Sequence, residues 1–127
     1  LNVFDVTVTE TQLRADRDHG LCFERTGALM GLPLGPARLG VRAHDLLLAP
    51  RSPADVRVKA EVTLEEISGS ETLLRARSGS TEQPLSWTAQ WQGTHRHGPG
   101  ASLSLYIDPR GLLAFDAQGV AVVTGGR

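Results

Sequence analysis

The segment 55–77, DVRVKAEVTLEEISGSETLLRAR, decides the fold class. Val56, Val58, Ala60, Val62 and Leu64 are apolar, while Arg57, Lys59, Glu61, Thr63 and Glu65 between them are polar. A period of two marks a strand with one buried face and one wet face. Ile67 then falls on the polar parity, so the phase slips. A bulge or bend near Glu65 and Glu66 is the expected place for that slip. Ser68, Gly69 and Ser70 read as a turn, with Gly69 supplying positive φ or a close approach, and residues 71–77 read as a return strand. A long bent strand followed at once by its partner is a building unit of small curled barrels.

The rest of the chain agrees in type. Fourteen glycines and seven prolines in 127 residues leave room for short strands rather than long helices. Strands are expected at 3–9, 21–24, 38–42, 85–91, 103–107, 112–115 and 120–123, with an extension at 11–15 and extended chain at 46–48. Leu85, Trp87, Ala89 and Trp91 share one face of theirs. Residues 16–20, 43–45, 108–111 and 116–119 read as turns, and 28–37 and 92–100 as loops. Neither an amphipathic helix nor a repeat stands out. The sequence therefore predicts an all-β domain, 1–127, of about nine or ten short strands closed into a small OB-like β-barrel or a pair of barrels.

Composition narrows function. The formal net charge is −1, which argues against nucleic acid as the main partner. Lys59 is the only lysine and has no glycine just upstream, so a phosphate-binding P-loop is excluded. Cys22 is alone and cannot form an internal disulfide; it reads as a small buried hydrophobe in a reducing compartment. No apolar run has the length of a membrane helix, and residues 1–20 have no apolar core of a signal peptide. The opening directly into a strand suggests a piece cut from a longer polypeptide.

Side chains with possible chemistry read as follows. His95 and His97 lie two apart, as metal ligands can, but Arg96 stands between them and no carboxylate shares the segment, so a solvated loop is expected. Ser70 is not in a nucleophile elbow. Glu65 and Glu66 are adjacent on a strand and read as a wet edge rather than an acid/base pair. Trp87 and Trp91 could stack bases, although same-face tryptophans on a strand are commonly core or interface. The compact polar run Arg42-Ala43-His44-Asp45 is either a surface turn or a contact with another domain.

Four segments add a family. Residues 39–46, LGVRAHDL, resemble the Gly-Ile-Arg-Pro-Glu-His-Leu signature of the C-terminal regulatory (TOBE) domain of ABC-importer ATPase subunits. Residues 62–74, VTLEEISGSETLL, resemble the strand-turn-strand that follows it. Residues 107–122, IDPRGLLAFDAQGVAV, resemble its closing segment, and Leu1-Asn2-Val3-Phe4 its start. The family proline and glutamate are Ala43 and His44 here, and the family histidine is Asp45.

The resemblance implies a regulatory and dimerisation domain of the ATP-binding subunit of an importer, of the sugar or glycerol-phosphate type. It implies no catalysis, metal or cofactor in this fragment, with ATP and Mg bound by a separate nucleotide-binding domain. It implies a homodimer through the parent subunit, contact with transporter membrane subunits and in some members with a regulatory protein, and a cytoplasmic place on the inner face of the membrane. Gly40, Arg42, His44, Asp45, Gly69, Glu71, Thr72, Phe115 and Asp116 become the interface or regulatory candidates. Relatives that bind oxyanions such as molybdate suggest a second function, with Arg42 and the turn Ser68-Gly69-Ser70 as donors. An oligonucleotide-binding OB domain is the third reading, and a stand-alone enzyme the least favoured.

Overall fold

The computed structural model describes residues 1–122. Ten strands follow one another: β1 (Asn2–Val8), β2 (Gln12–Ala15), β3 (Asp18–Glu24), β4 (Gly35–Val41), β5 (Val56–Ser68), β6 (Glu71–Ser78), β7 (Leu85–Gln92), β8 (Ser102–Ile107), β9 (Leu113–Phe115) and β10 (Ala121–Val122). Short 3-10 turns at Gly27–Gly31, Ala43–Asp45 and Pro109–Gly111 interrupt them. Val123, expected in the last strand, lies outside the described residues.

The strands do not close into a barrel. They form a six-stranded sheet in the order β10-β9-β4-β1-β2-β3 and a four-stranded sheet in the order β7-β6-β5-β8, both open at their edges. The expected closure rested on a bend in β5, and the phase slip is absorbed differently. Val62 pairs with Ala76 and Leu64 with Arg75, so Thr63 is an extra residue with no partner on β6. A bulge of this kind reverses which parity faces the core. Val58, Ala60 and Val62 are buried, whereas Leu64 is 37% exposed, and Glu65 and Ile67 take the half-buried positions. The slip thus sits at Thr63, ahead of Glu65 and Glu66.

One hydrophobic core joins the sheets. The inner face of β1 supplies Phe4, Val6 and Val8, and β7 supplies Leu85, Trp87 and Ala89. The rings of Phe4 and Trp87 meet at 5.3 Å between centroids. Alternation in β1 is complete, buried and exposed residues exchanging at every step, as a strand with one dry face requires. Asn2 bolts the sheets together: its amide nitrogen donates to Val41 O at 3.1 Å and Thr88 O at 2.9 Å, and its oxygen accepts from Thr88 N at 2.7 Å. A buried amide is tolerated where its groups are paired in this way.

Several local expectations shift. Cys22 is only partly buried, because it points away from the face of β3 that buries Leu21 and Phe23. Strand β4 begins at Gly35 and so includes Pro36, opposite Thr7 of β1. The proline is accommodated because β9 pairs only with residues 38–40 on the other side. Residues 46–48 contribute an isolated bridge, Leu47 to Tyr106, rather than a strand.

The β5–β6 turn needs its glycine, since Gly69 has φ +60°. Replacing it with valine, which resists positive φ, should lower the melting temperature more than His97→Ala does. Equal thermal melts of the two variants would contradict this account of the hairpin.

Candidate functional site

The two halves of β5 serve different neighbours. Residues 56–61 pair with β8 and, from Glu61 onward, the strand pairs with β6, so the two ladders overlap at Glu61. Glu61 stands opposite Ser102 on β8 and Arg77 on β6, and Lys59 stands opposite Ser104. The wet parity of β5 therefore collects Arg57, Lys59 and Glu61 beside Ser102 and Ser104, with Arg77 across the split. The β6–β7 loop leans over this place. Its residues Gly79, Ser80, Thr81 and Pro84 complete a cleft of about 480 Å³.

The cleft's electrostatics are one-sided. It holds three cationic side chains, Arg57, Lys59 and Arg77, against one carboxylate, Glu61. Arg77 is spoken for: its Nε and one terminal nitrogen donate to Glu61 Oε1 at 3.0 and 2.6 Å. Arg57 Nε donates to a neutral partner, Ser104 Oγ, at 2.7 Å. Among the described residues, no carboxylate lies within ion-pair distance of Arg57 or Lys59. Hydroxyls of Ser80, Thr81, Ser102 and Ser104 surround these charges. Guanidinium, ammonium and hydroxyl donors converging on an open cleft suit an anion rich in oxygen.

The loop that roofs the cleft is fixed from both sides. Trp87 Nε1, buried, donates to Ser78 Oγ at 2.9 Å. Ser80 N donates to Arg17 O at 3.2 Å, which ties the loop to the β2–β3 turn of the other sheet.

The nine residues singled out by family resemblance fall in separate places. His44 lines a second cleft of about 410 Å³ with Leu47, Leu48, Gln90, Trp91, Gln92 and His95. Asp45 lies 3.7 Å from both Arg42 and His44. Glu71 accepts from the side-chain amides of Gln90 and Gln92 at 3.1 and 3.0 Å. Thr72 is fully buried; its hydroxyl donates to Gly93 O at 2.8 Å and accepts from His95 N at 3.0 Å. His97 N donates to the Glu65 carboxylate. The loop carrying His95 and His97 is thus pinned to the β5–β6 hairpin rather than freely solvated, and Glu65 is not a wet edge.

Gly40 and Phe115 meet elsewhere, on the outer face of the six-stranded sheet. A Cβ on Gly40 would lie 3.4 Å from Phe115 and Leu1 and 3.5 Å from Leu113. Leu1 and Val3 are 66% and 51% exposed on the same side, and the Asp5–Arg38 ion pair at 3.1 Å borders this apolar area. Asp116 closes its turn by accepting from Gln118 N and Val120 N, both at 2.9 Å.

Two expectations of ligand chemistry change. Arg42 and the turn Ser68-Gly69-Ser70 do not line the cationic cleft. The tryptophans do not form a base-stacking pair: Trp87 is a core residue, and Trp91 donates its indole N–H to Leu46 O at 2.6 Å with His95 edge-on at 5.6 Å. No group of three or more His, Cys, Asp or Glu residues among the described residues is placed to hold a metal ion. No described helix is long and apolar enough to cross a membrane.

No family model matches the chain. It is 30% identical, over 132 aligned positions, to the multiple sugar-binding transport ATP-binding protein MsmK of Streptococcus mutans serotype c. The match covers 97% of this chain and 33% of that protein, so the chain spans about a third of its curated relative's length. The fold is similar to that of the cytoplasmic molybdate-binding protein ModG in a crystal form with molybdate bound, with a TM-score of 0.68 and 17% identity over 94% of this chain and 95% of that one. The sequence match is a likeness to part of a transport ATP-binding protein, and the structural match shows a shared fold.

Proposed function

We propose that the chain is a TOBE-type regulatory domain of an ABC-importer ATP-binding subunit and that it binds a small tetrahedral oxyanion in the cleft between β5, β8 and the β6–β7 loop. The observation that carries this reading is the pair Arg57 and Lys59, two cations with no carboxylate partner among the described residues, facing four hydroxyls in one cleft. An anion there supplies the counter-charge these two side chains lack. The likeness in fold to a molybdate-binding protein supports oxyanion chemistry. The relation to a transport ATP-binding protein supports the regulatory setting, with sugar uptake as the parent's task.

In that setting the parent subunit carries a nucleotide-binding domain for ATP and Mg, works as a homodimer with membrane subunits, and sits at the cytoplasmic face of the membrane. The exposed apolar area around Leu1, Val3, Gly40 and Phe115 supports a protein contact on the sheet opposite the cleft.

Calorimetry with phosphate, sulfate and molybdate tests the binding site. The double variant Arg57→Ala/Lys59→Ala should weaken whichever anion binds by about a hundredfold, since each charge-assisted contact is worth roughly tenfold. Undiminished binding in a folded double variant would move the site elsewhere. Deleting the domain from the full subunit should alter transport; unchanged transport would remove the regulatory role.

A further inference from the structure

The carboxylate in the cleft sets which oxyanion it takes. Glu61 occupies the point where the β6 and β8 ladders overlap, so its backbone is fixed at the centre of the sheet, and the bond from Arg77 holds its half-exposed carboxylate in the cleft. Its Oε1 holds Arg77, while Oε2 has no hydrogen-bond partner among the described residues. An ionised carboxylate only accepts hydrogen bonds. Sulfate and molybdate, which carry no proton near neutral pH, also only accept. Placed beside Glu61 they meet an oxygen of like charge with no proton between. Hydrogen phosphate carries the same two negative charges and one O–H, which can donate to Oε2 in a short, charge-assisted bond. The three cations less Glu61 leave two positive charges in the cleft, matching a dianion in either case. Charge therefore does not separate these ligands, and the proton does.

We infer that Glu61 makes the cleft selective for a protonated oxyanion, hydrogen phosphate, over sulfate and molybdate. This rests on the oxyanion reading above and departs from the ligand of the fold relative. Arg57, Lys59 and the hydroxyls of Ser102 and Ser104 neutralise and bind the unprotonated oxygens. Glu61 reads the protonated one, and Arg77 holds Glu61 oriented. The cleft is open, so the face of the anion turned away from the sheet keeps its water.

Calorimetry on the whole chain at about pH 8, where all three anions carry two charges and only phosphate retains a proton, separates the outcomes. Wild-type protein should bind phosphate about tenfold or more tightly than sulfate or molybdate, the worth of one hydrogen bond to a charged group. Glu61→Gln, whose amide can donate as well as accept, should erase that preference, mainly by strengthening sulfate and molybdate. Sulfate or molybdate binding as tightly as phosphate to wild type would overturn the inference and leave the oxyanion reading standing. A preference for phosphate that survives in Glu61→Gln would remove Glu61 from the role. Absence of heat with all three anions would overturn the oxyanion reading itself. Thermal melts of Glu61→Gln within a few degrees of wild type, as expected for an exposed pair, show that the variant is folded.

Discussion

Gly79→Ala should unfold the protein at a much lower temperature than wild type. Gly79 has φ +81°, and a Cβ built there would lie 2.1 Å from Arg17 O and 2.9 Å from Asp18 Cα. The obstacle is backbone, so it cannot swing away as a long side chain would. Moving it breaks the junction where the β6–β7 loop meets the β2–β3 turn, including the bond from Ser80 N to Arg17 O. Strain at positive φ and a forced backbone shift together should cost about 3 kcal/mol or more, a fall in Tm on the order of 10 °C for a domain of this size. Gly119→Ala is the control. It has the same φ of +81° but nothing within 4 Å of the added carbon, so it should cost only about 1 kcal/mol. Equal melts of the two variants would show that the sheets do not approach closely at Gly79.

Trp87→Ala should be of similar size for a different reason. Trp87 is 1% exposed and packs at a tilt of 58° against Phe4 at the seam between the sheets. Removing the indole leaves a large cavity at a place held by both sheets, which limits collapse, and should cost about 3–5 kcal/mol. Trp87→Phe separates packing from hydrogen bonding. It retains most of the ring but leaves the buried Ser78 hydroxyl without its indole donor, so a loss of about 1–2 kcal/mol is expected. A phenylalanine variant as unstable as the alanine variant in chemical denaturation would show that the hydrogen bond, not the packing, holds the seam.

The sequence made some of this legible. Period-two alternation in β5 and β7 identified the buried faces, and the same alternation set Arg57 and Lys59 on one wet face. It did not locate the bulge, because Thr63 and Glu65 are both polar and the slip becomes visible only at Ile67. The same parity rule places Cys22 opposite Leu21 and Phe23. Closure was not readable, since alternation tells which face is dry but not which edges pair.

The cationic cleft was missed for a related reason. Ser102 and Ser104 read as the polar side of an ordinary strand until the register of β8 sets them beside Lys59 and Glu61, some forty residues away in sequence. Arg77 joins them through the β5–β6 ladder, and the loop at Gly79 through contacts with the other sheet. Family resemblance drew attention instead to Arg42, Gly69 and Thr72. In the structure Arg42 lies beside Asp45, Gly69 shapes a turn, and Thr72 anchors the loop after β7.

The most direct test of the central claim is to follow backbone amide resonances during a phosphate titration. Saturable shifts should appear at Lys59, Gly79, Ser80, Ser102 and Ser104, with the turn at Gly69 and residue Arg42 unmoved. Shifts centred on Arg42 and Gly69, or none that saturate, would contradict an anion site in the cleft at Glu61.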